Sequence, residues 1–433
     1  MNLNMPVDGK MNKQEKSDVY MLVADNHNHD NDKRRQSGVC DYRRKTSRKR
    51  LTLIYLPDDV LLLIYSYLDV QSLGRLCQAC SRFRNLTSLD TVWLPHSKNV
   101  FIIRDLNRNG QSLSLKEQCR VAKNWNKKKS HEVTLLRNSS RLMPWMQYEK
   151  QTIWISTQNV IRCFRLKQNG YLAENSQHRL EGFRDDVSRF VIKKDLLVAG
   201  CRDGSIGGWS TSTGSMLFHF LKVHTGDTQC VDLLGDLLIS GSRDCHVKIT
   251  SLSCNNSFSK PRKTLQIHDR VWSLGVSPDG TVLAVGSAGC GGIPPLAIWD
   301  LNSCEMALQL GTNHKRGAGV LDMTFTSPNT LLTCGYDSYL RLWDVRTASC
   351  VAEWEEPYDT ALYCVQTDDQ YAVMTGTARY GMTRLWDMRQ SQPIQVYYSG
   401  RRSSPVYALA FNSCRFYVAL DVSINMIDFT GFK

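Results

Sequence analysis

From about Met146 to its end the chain repeats itself. Near-matching segments close at Phe164, Trp209, Thr250, Trp299, Trp343, Trp386 and Ile427, at intervals of 41 to 49 residues. Within a unit a short apolar run comes first, as in Trp272-Ser273-Leu274-Gly275-Val276 or Val406-Tyr407-Ala408-Leu409-Ala410-Phe411. A second follows a polar turn, as in Leu331-Leu332-Thr333-Cys334-Gly335, and a tight Asp-bearing turn leads to a third, Tyr339-Leu340-Arg341-Leu342-Trp343. Runs this short, rich in β-branched and aromatic residues, are strands. A unit of this length holds four strands and cannot bury its faces alone, so the repeat predicts a mainly β fold over residues 146–433: a seven-bladed β-propeller. The stretch from Asp421 to Phe429 can stand as the seventh blade or complete the first.

The dipeptides Trp299-Asp300, Trp343-Asp344 and Trp386-Asp387 make these units resemble WD repeats. In that family a His before the first strand, a Ser or Thr on the second, an Asp in the turn and the Trp form a buried hydrogen-bond chain. The resemblance assigns that structural role to His314, Thr333, Asp337 and Trp343 in the fifth unit and to Asp203 and Trp209 in the second. In the third it falls to His224, Ser240 and Asp244, with Thr250 replacing Trp. The first, sixth and seventh units are degenerate. A satisfied polar network fixes a blade's turn. Because such sets recur in several blades, they speak against a catalytic His–Asp–Ser reading, and no catalytic residue is expected.

Ahead of the repeat the pattern changes. Residues 1–50 are polar and almost without aromatics, the composition of a disordered tail. The tail carries the basic clusters Lys33-Arg34-Arg35 and Arg43-Arg44-Lys45 with Arg48-Lys49-Arg50. Such clusters suit an import receptor or are simply solvated. Residues 51–95 read as three short helices. Pro57 and two acids open the first, Leu61, Leu62, Ile64, Tyr65 and Leu68 recur at helical spacing, Asp69 caps the second, and a third runs from about Gln78 past Phe83 and Leu86, with Trp93 closing the unit. Residues 96–145 read as a helical linker, with Leu113, Leu115, Cys119, Val121, Ala122 and Trp125 on one face and Lys127-Lys128-Lys129 at the end favoured by the helix dipole.

The net charge of +13 is concentrated. Residues 1–50 carry 12 Lys/Arg against 7 Asp/Glu and residues 95–145 carry 11 against 3, leaving 31 of each elsewhere. A nucleic-acid-binding propeller would hold its own basic excess, so the balance argues against that partner. Fifteen scattered cysteines, many in apolar runs, read as buried thiols of a cytoplasmic or nuclear protein. Cys77 and Cys80 lack a second pair, and no metal or cofactor is expected. No apolar run is long enough to cross a membrane.

Leu56-Pro57-Asp58-Asp59, Ile64, Tyr67-Leu68, Leu73, Cys80 and Val92-Trp93 stand in the order of an F-box, with Asp59 where that family favours Glu and Phe83 where it often has Trp. The whole order resembles the F-box/WD-repeat family over residues 54–433. The resemblance implies a non-catalytic substrate receptor of an SCF-type cullin–RING ubiquitin ligase. Its F-box would dock on the Skp adaptor through Leu56, Pro57, Ile64, Leu68, Leu73 and Trp93. It also implies that the propeller takes a protein target, phosphorylated or acidic-plus-apolar, on the face where first strands begin. Arg202, Arg243 and Tyr336, with Trp272, Tyr363 and Tyr407, point there. The Gly289–Pro295 insertion would enlarge a loop on that face. Two readings stand beside this one. Trp343-Asp344-Val345-Arg346 and Trp386-Asp387-Met388-Arg389 resemble the motif of receptors for the damaged-DNA-binding-type adaptor of another cullin–RING branch. A scaffold or RNA-binding propeller is the third.

Overall fold

A computed structural model describes residues 52–98, 100–104, 113–252, 261–312 and 314–431. The basic tail lies outside them. The chain divides into two compact units, residues 1–56 and 57–433. The described part of the first holds one helical turn, Leu53–Tyr55.

The second unit opens with α1 (Asp58–Ser66), whose acids sit in the first turn where the helix dipole favours them. Asp69 caps α2 (Val70–Ala79) by accepting from Ser72 N at 3.0 Å. Cys80, extended at φ −157°, ends α2 and caps α3 (Ser81–Leu86) by accepting from Phe83 N through its sulfur. The expected three-helix unit is therefore present, and Trp93 closes it from a fourth short helix, α4 (Asp90–Ser97). Leu61, Tyr65, Leu73, Phe83, Leu86, Val92 and Trp93 form its core, with Tyr65 and Phe83 edge to face at 6.3 Å.

The seven four-stranded antiparallel sheets follow. Their first strands are Met146–Glu149, Val187–Lys193, Thr228–Leu234, Val271–Val276, Val320–Ser327, Leu362–Thr367 and Val406–Phe411, in blades one to seven. Blade seven settles how the ring closes. Ser423–Asp428 is its third strand, and its fourth is His131–Arg137, supplied from ahead of blade one. The ring is thus entered before Met146, and the segment expected to be helical linker ends in a strand. Glu132 secures it: one carboxylate oxygen accepts from Ser399 Oγ and Gly400 N, both at 2.7 Å, and from Asn425 Nδ2 at 2.8 Å. Closing first to last strand leaves no open sheet edge between the blades at the seam.

The helix α5 (Leu115–Asn126) joins the two parts. At its start, Leu115 N donates to Asp90 at 3.1 Å and Lys116 meets the Cys77 sulfur at 2.6 Å. At its end, Trp125 stacks on Phe429 at 3.8 Å, donates to Ser413 O at 2.8 Å and accepts from the Tyr397 hydroxyl through its carbonyl. That ring sits among buried residues of blades six and seven, including Phe416 and Leu385. Ile103 packs in the same cluster and Arg104 N donates to Asp368 at 3.1 Å. The helical unit is held to the propeller by packing, not by chain continuity alone.

Candidate functional site

In blades two to seven the pairing of first and second strands slips near its start, at 187/190, 228/230, 271/273, 320/322, 362/364 and 406/408. A bulge leaves a residue unpaired and re-aims its side chain. The residues so released are Ser188 and Arg189, Gln229, Trp272, Leu321, Tyr363 and Tyr407. All of them line one recess, together with Met143, Pro144, Trp145, Arg202 and Tyr336. Every blade contributes, so this recess is the mouth of the central channel on the face where first strands begin.

Five of the six residues assigned to target binding, Arg202, Trp272, Tyr336, Tyr363 and Tyr407, therefore meet in one place. The aromatics form an arc. Trp272 and Tyr336 lie edge to face at 5.7 Å, Tyr336 and Tyr363 at 6.2 Å, and Tyr363 and Tyr407 tilt together at 6.0 Å. Burial, and next the neighbouring Tyr363, push the Tyr336 and Tyr407 hydroxyls up, so they are neutral donors at ordinary pH. The Trp272 indole nitrogen and the Ser188 hydroxyl are buried with no hydrogen-bond partner among the described residues. Unmet polar groups of this kind cost stability and mark a surface a ligand can complete.

Arg243 does not line the recess. Its guanidinium lies 6.0 Å from the Trp272 ring and pairs with Asp227 at 3.2 Å. Arg202 faces Asp186 at 3.9 Å and the Met143 sulfur at 2.9 Å. Both rim arginines thus already have carboxylates. Arg189, which the repeat pattern did not single out, lies deeper. It stacks on Trp145 at 4.2 Å and crosses the channel to Asp322 and Leu321 O, both at 2.8 Å. Asp322 also accepts from Val365 N at 2.9 Å. Burial raises its carboxyl, and Arg189 only partly offsets that. The arginine joins blade two to blade five, Asp322 carries the link on to blade six, and the pair floors the recess. The Gly-rich insertion folds onto the same side: Asp269 accepts from Cys290 N at 2.7 Å and Gly291 N at 3.2 Å.

The assigned network residues sit inside the blades. In blade three His224 bridges Asp244 at 2.9 Å and Ser240 at 2.8 Å, completing the expected chain without a Trp. In blade five the chain is split. Trp343 donates to Thr333 at 2.8 Å, but His314 turns one nitrogen to Gly311 O at 2.9 Å and the other toward Asp337 at 3.4 Å, and Asp337 is taken by Arg341. In blade two Asp203 is occupied by Ser205, and Trp209 is buried against Phe183. Blade six, read as degenerate, keeps Trp386 to Thr375 at 2.9 Å and buries a Glu356–Arg384 pair, the Glu ahead of the first strand and the Arg on the third. Glu356 is then satisfied by Tyr358 N and Thr360 N.

On the helical unit, Leu73 and Trp93 are buried, and the Trp93 indole donates to Thr87 O at 2.7 Å. They hold the bundle's shape and offer a partner no surface. Ile64 and Leu68 are half-buried and Pro57 is exposed. Leu56 ends the first unit. What α1 and its C-cap expose is Val60, Leu63 and Tyr67, with the cap Tyr67 82% accessible. With Ile64 they follow the spacing i, i+3, i+4, i+7, so α1 has one apolar stripe inward (Leu61, Tyr65) and another outward. A helix that only had to fold would expose charge there.

The two Trp-Asp-x-Arg motifs differ. Arg346 pairs with Asp344 at 3.1 Å and is 68% exposed. Arg389 pairs with Asp387 at 2.7 Å, lies 4.3 Å from the Tyr371 ring and 6.0 Å from the Phe101 ring, and is 53% exposed. Among the described residues no group of three His, Cys, Asp or Glu could hold a metal ion, and no helix is long and apolar enough to cross a membrane.

With this geometry in place, the known proteins bear on it directly. The F-box-like family profile matches residues 53–95, and the WD domain, G-beta repeat profile matches 259–290 and 307–344. The chain is 38% identical to mouse F-box/WD repeat-containing protein 4, also called dactylin, over 384 residues, 86% of this chain and 92% of that one. The human protein of the same name matches at the same identity and coverage. Mitochondrial division protein 1 of Schizosaccharomyces pombe is 23% identical over 239 residues, 51% of this chain and 31% of its own.

Proposed function

The chain belongs to the F-box/WD repeat-containing protein family, and from that premise we propose that it is a substrate receptor of an SCF-type cullin–RING ubiquitin ligase. One observation carries the reading: a helical unit with a second, outward apolar stripe on α1 is packed through α5 onto a propeller with a formed aromatic mouth. The stripe is the dock for a Skp-type adaptor, and the mouth takes a protein target. The chain itself catalyses nothing; ubiquitin transfer belongs to the other subunits. Holding the two surfaces at a fixed separation raises the effective concentration of target at the ligase. The cytoplasm and nucleus are the compartments this role requires.

The test is comparative proteomics of affinity-purified wild type and Leu63→Glu/Tyr67→Glu. The reading predicts the same targets in both, ubiquitinated only with wild type. Equal ubiquitination in both would overturn it.

A further inference from the structure

Beside the mouth lies a basic surface that the assigned residues do not include. The turn Arg379-Tyr380-Gly381 of blade six and the loop Ser399–Pro405, which leads into blade seven, are stitched together. Gly381 N donates to Ser404 O at 2.7 Å, Ser399 N to Gly381 O at 3.0 Å, and Tyr380 N to Ser403 Oγ at 3.3 Å. Gly381 has φ +57°, and a Cβ there would strike the Ser399 carbonyl, so the two loops approach closely only because this residue is glycine. The stitched pair presents Arg379, Arg401 and Arg402, all exposed, with Tyr380 59% accessible between them. None of the three arginines has an ion-pair partner among the described residues, whereas Arg141, Arg202 and Arg243 on the same face face Asp421, Asp186 and Asp227. The nearby Glu132 is already occupied by Ser399, Gly400 and Asn425.

The patch lies on the same face as the mouth. Tyr407 follows Arg401 and Arg402 at the start of blade seven's first strand, and Tyr363 opens the first strand of the blade that carries Arg379.

Resting on the receptor reading above, we propose that the target motif is a peptide whose apolar residues enter the aromatic arc and whose adjoining carboxylate-rich segment lies along Arg379, Arg401 and Arg402. Charge complementarity selects this occupant. A spread of unpaired guanidiniums along two loops matches a run of single charges. A phosphate dianion at the rim would have to displace Asp186 or Asp227 from Arg202 or Arg243. A nucleic acid would need a basic excess that the propeller as a whole lacks.

The experiment is fluorescence anisotropy on the full chain with labelled Phe-Leu-Gly-Ser-Glu-Glu-Glu-Glu-Glu as probe. Wild type is expected to bind it and to ignore the lysine counterpart. Arg379→Ala/Arg401→Ala/Arg402→Ala should lose about tenfold or more, in a gap that narrows as salt rises from about 50 to about 300 mM. The corresponding triple Lys variant should keep most of the affinity. Unchanged binding by the triple Ala variant overturns the proposal. So does failure of wild type to bind the probe. Tighter binding of an oligouridylate would make this a nucleic-acid surface, and a large gain from phosphoserine that depends on Arg202 and Arg243 would return recognition to the rim. The adaptor stripe takes no part in the assay, so failure of the ligase reading shows in adaptor capture and failure of this one in anisotropy.

Discussion

The outward stripe of α1 and the mouth of the propeller are both apolar, yet they are built differently. The stripe is Val60, Leu63, Ile64 and Tyr67 on one turn after another of a helix, with no polar groups arranged among them. It has surface to bury and nothing to orient, which suits a permanent partner. The mouth is aromatic rings set edge to face, floored by Arg189 and rimmed by arginines already held by carboxylates. Rings with few rotamers, fixed by their neighbours, lose little entropy on binding, which suits a ligand that comes and goes. On the receptor reading, one surface would be attached for good and the other would discriminate.

That contrast can be broken in four places. The largest effect is expected where the two regions are joined. Trp125→Ala empties the cluster between α5 and blades six and seven and should cost about 3–5 kcal/mol in urea denaturation. It should lower ubiquitin transfer while adaptor and target still bind; transfer at wild-type rate would show that rigid coupling is unnecessary. Next, Leu63→Glu/Tyr67→Glu should weaken adaptor binding at least about a hundredfold without lowering the melting temperature, because both residues are exposed. Loss of target binding in the same variant would mean the two surfaces are not separate. Tyr363→Ala, in the middle of the arc, should weaken target binding about tenfold in calorimetry and leave the adaptor untouched. The smallest effect is in the scaffold. Burial would raise the Asp244 carboxyl, but His224, Thr225 and His246 outweigh it and hold it below the usual carboxylate range. A depressed carboxyl contributes stability above its unfolded value, near about 4, and loses it as pH falls through the folded value. Asp244→Asn should therefore cost about 1 kcal/mol at neutral pH, and the gap from wild type should close in acid, as read by denaturation at two pH values.

The mouth was legible because a propeller's geometry fixes where each position of the repeat points. Trp272, Tyr363 and Tyr407 open first strands, and Arg202 and Tyr336 sit in the second turns, so knowing the fold placed them. Arg189 escaped because blade two's bulge spans two residues, Ser188 and Arg189, and only the second reaches the channel axis. Nothing in an alternating sequence marks a bulge. On α1 the difficulty was of another kind. Leu61-Leu62-Leu63-Ile64 is apolar all round, and its two faces are told apart only by where Tyr65 meets Phe83. Motif order then favoured Leu73 and Trp93, which fill the bundle's interior. The closing strand His131–Arg137 was read as linker because a single outer strand has no repeat to match; its pairing with Ser423–Asp428 is long-range. Blade six shows the limit of reading a network by residue type. Glu356 and Arg384 pair inside that blade without a His or a turn Asp, while Trp386 still reaches Thr375.

The central claim, that this chain is an adaptor-docked receptor, is tested most directly by calorimetric titration of a purified Skp-type adaptor into the full chain. The account predicts saturable binding below about 1 μM, a scale that corresponds to about −8 kcal/mol, abolished by Leu63→Glu/Tyr67→Glu and unaffected by Tyr363→Ala. Absence of binding by wild type, or equal binding by the α1 variant, would contradict it.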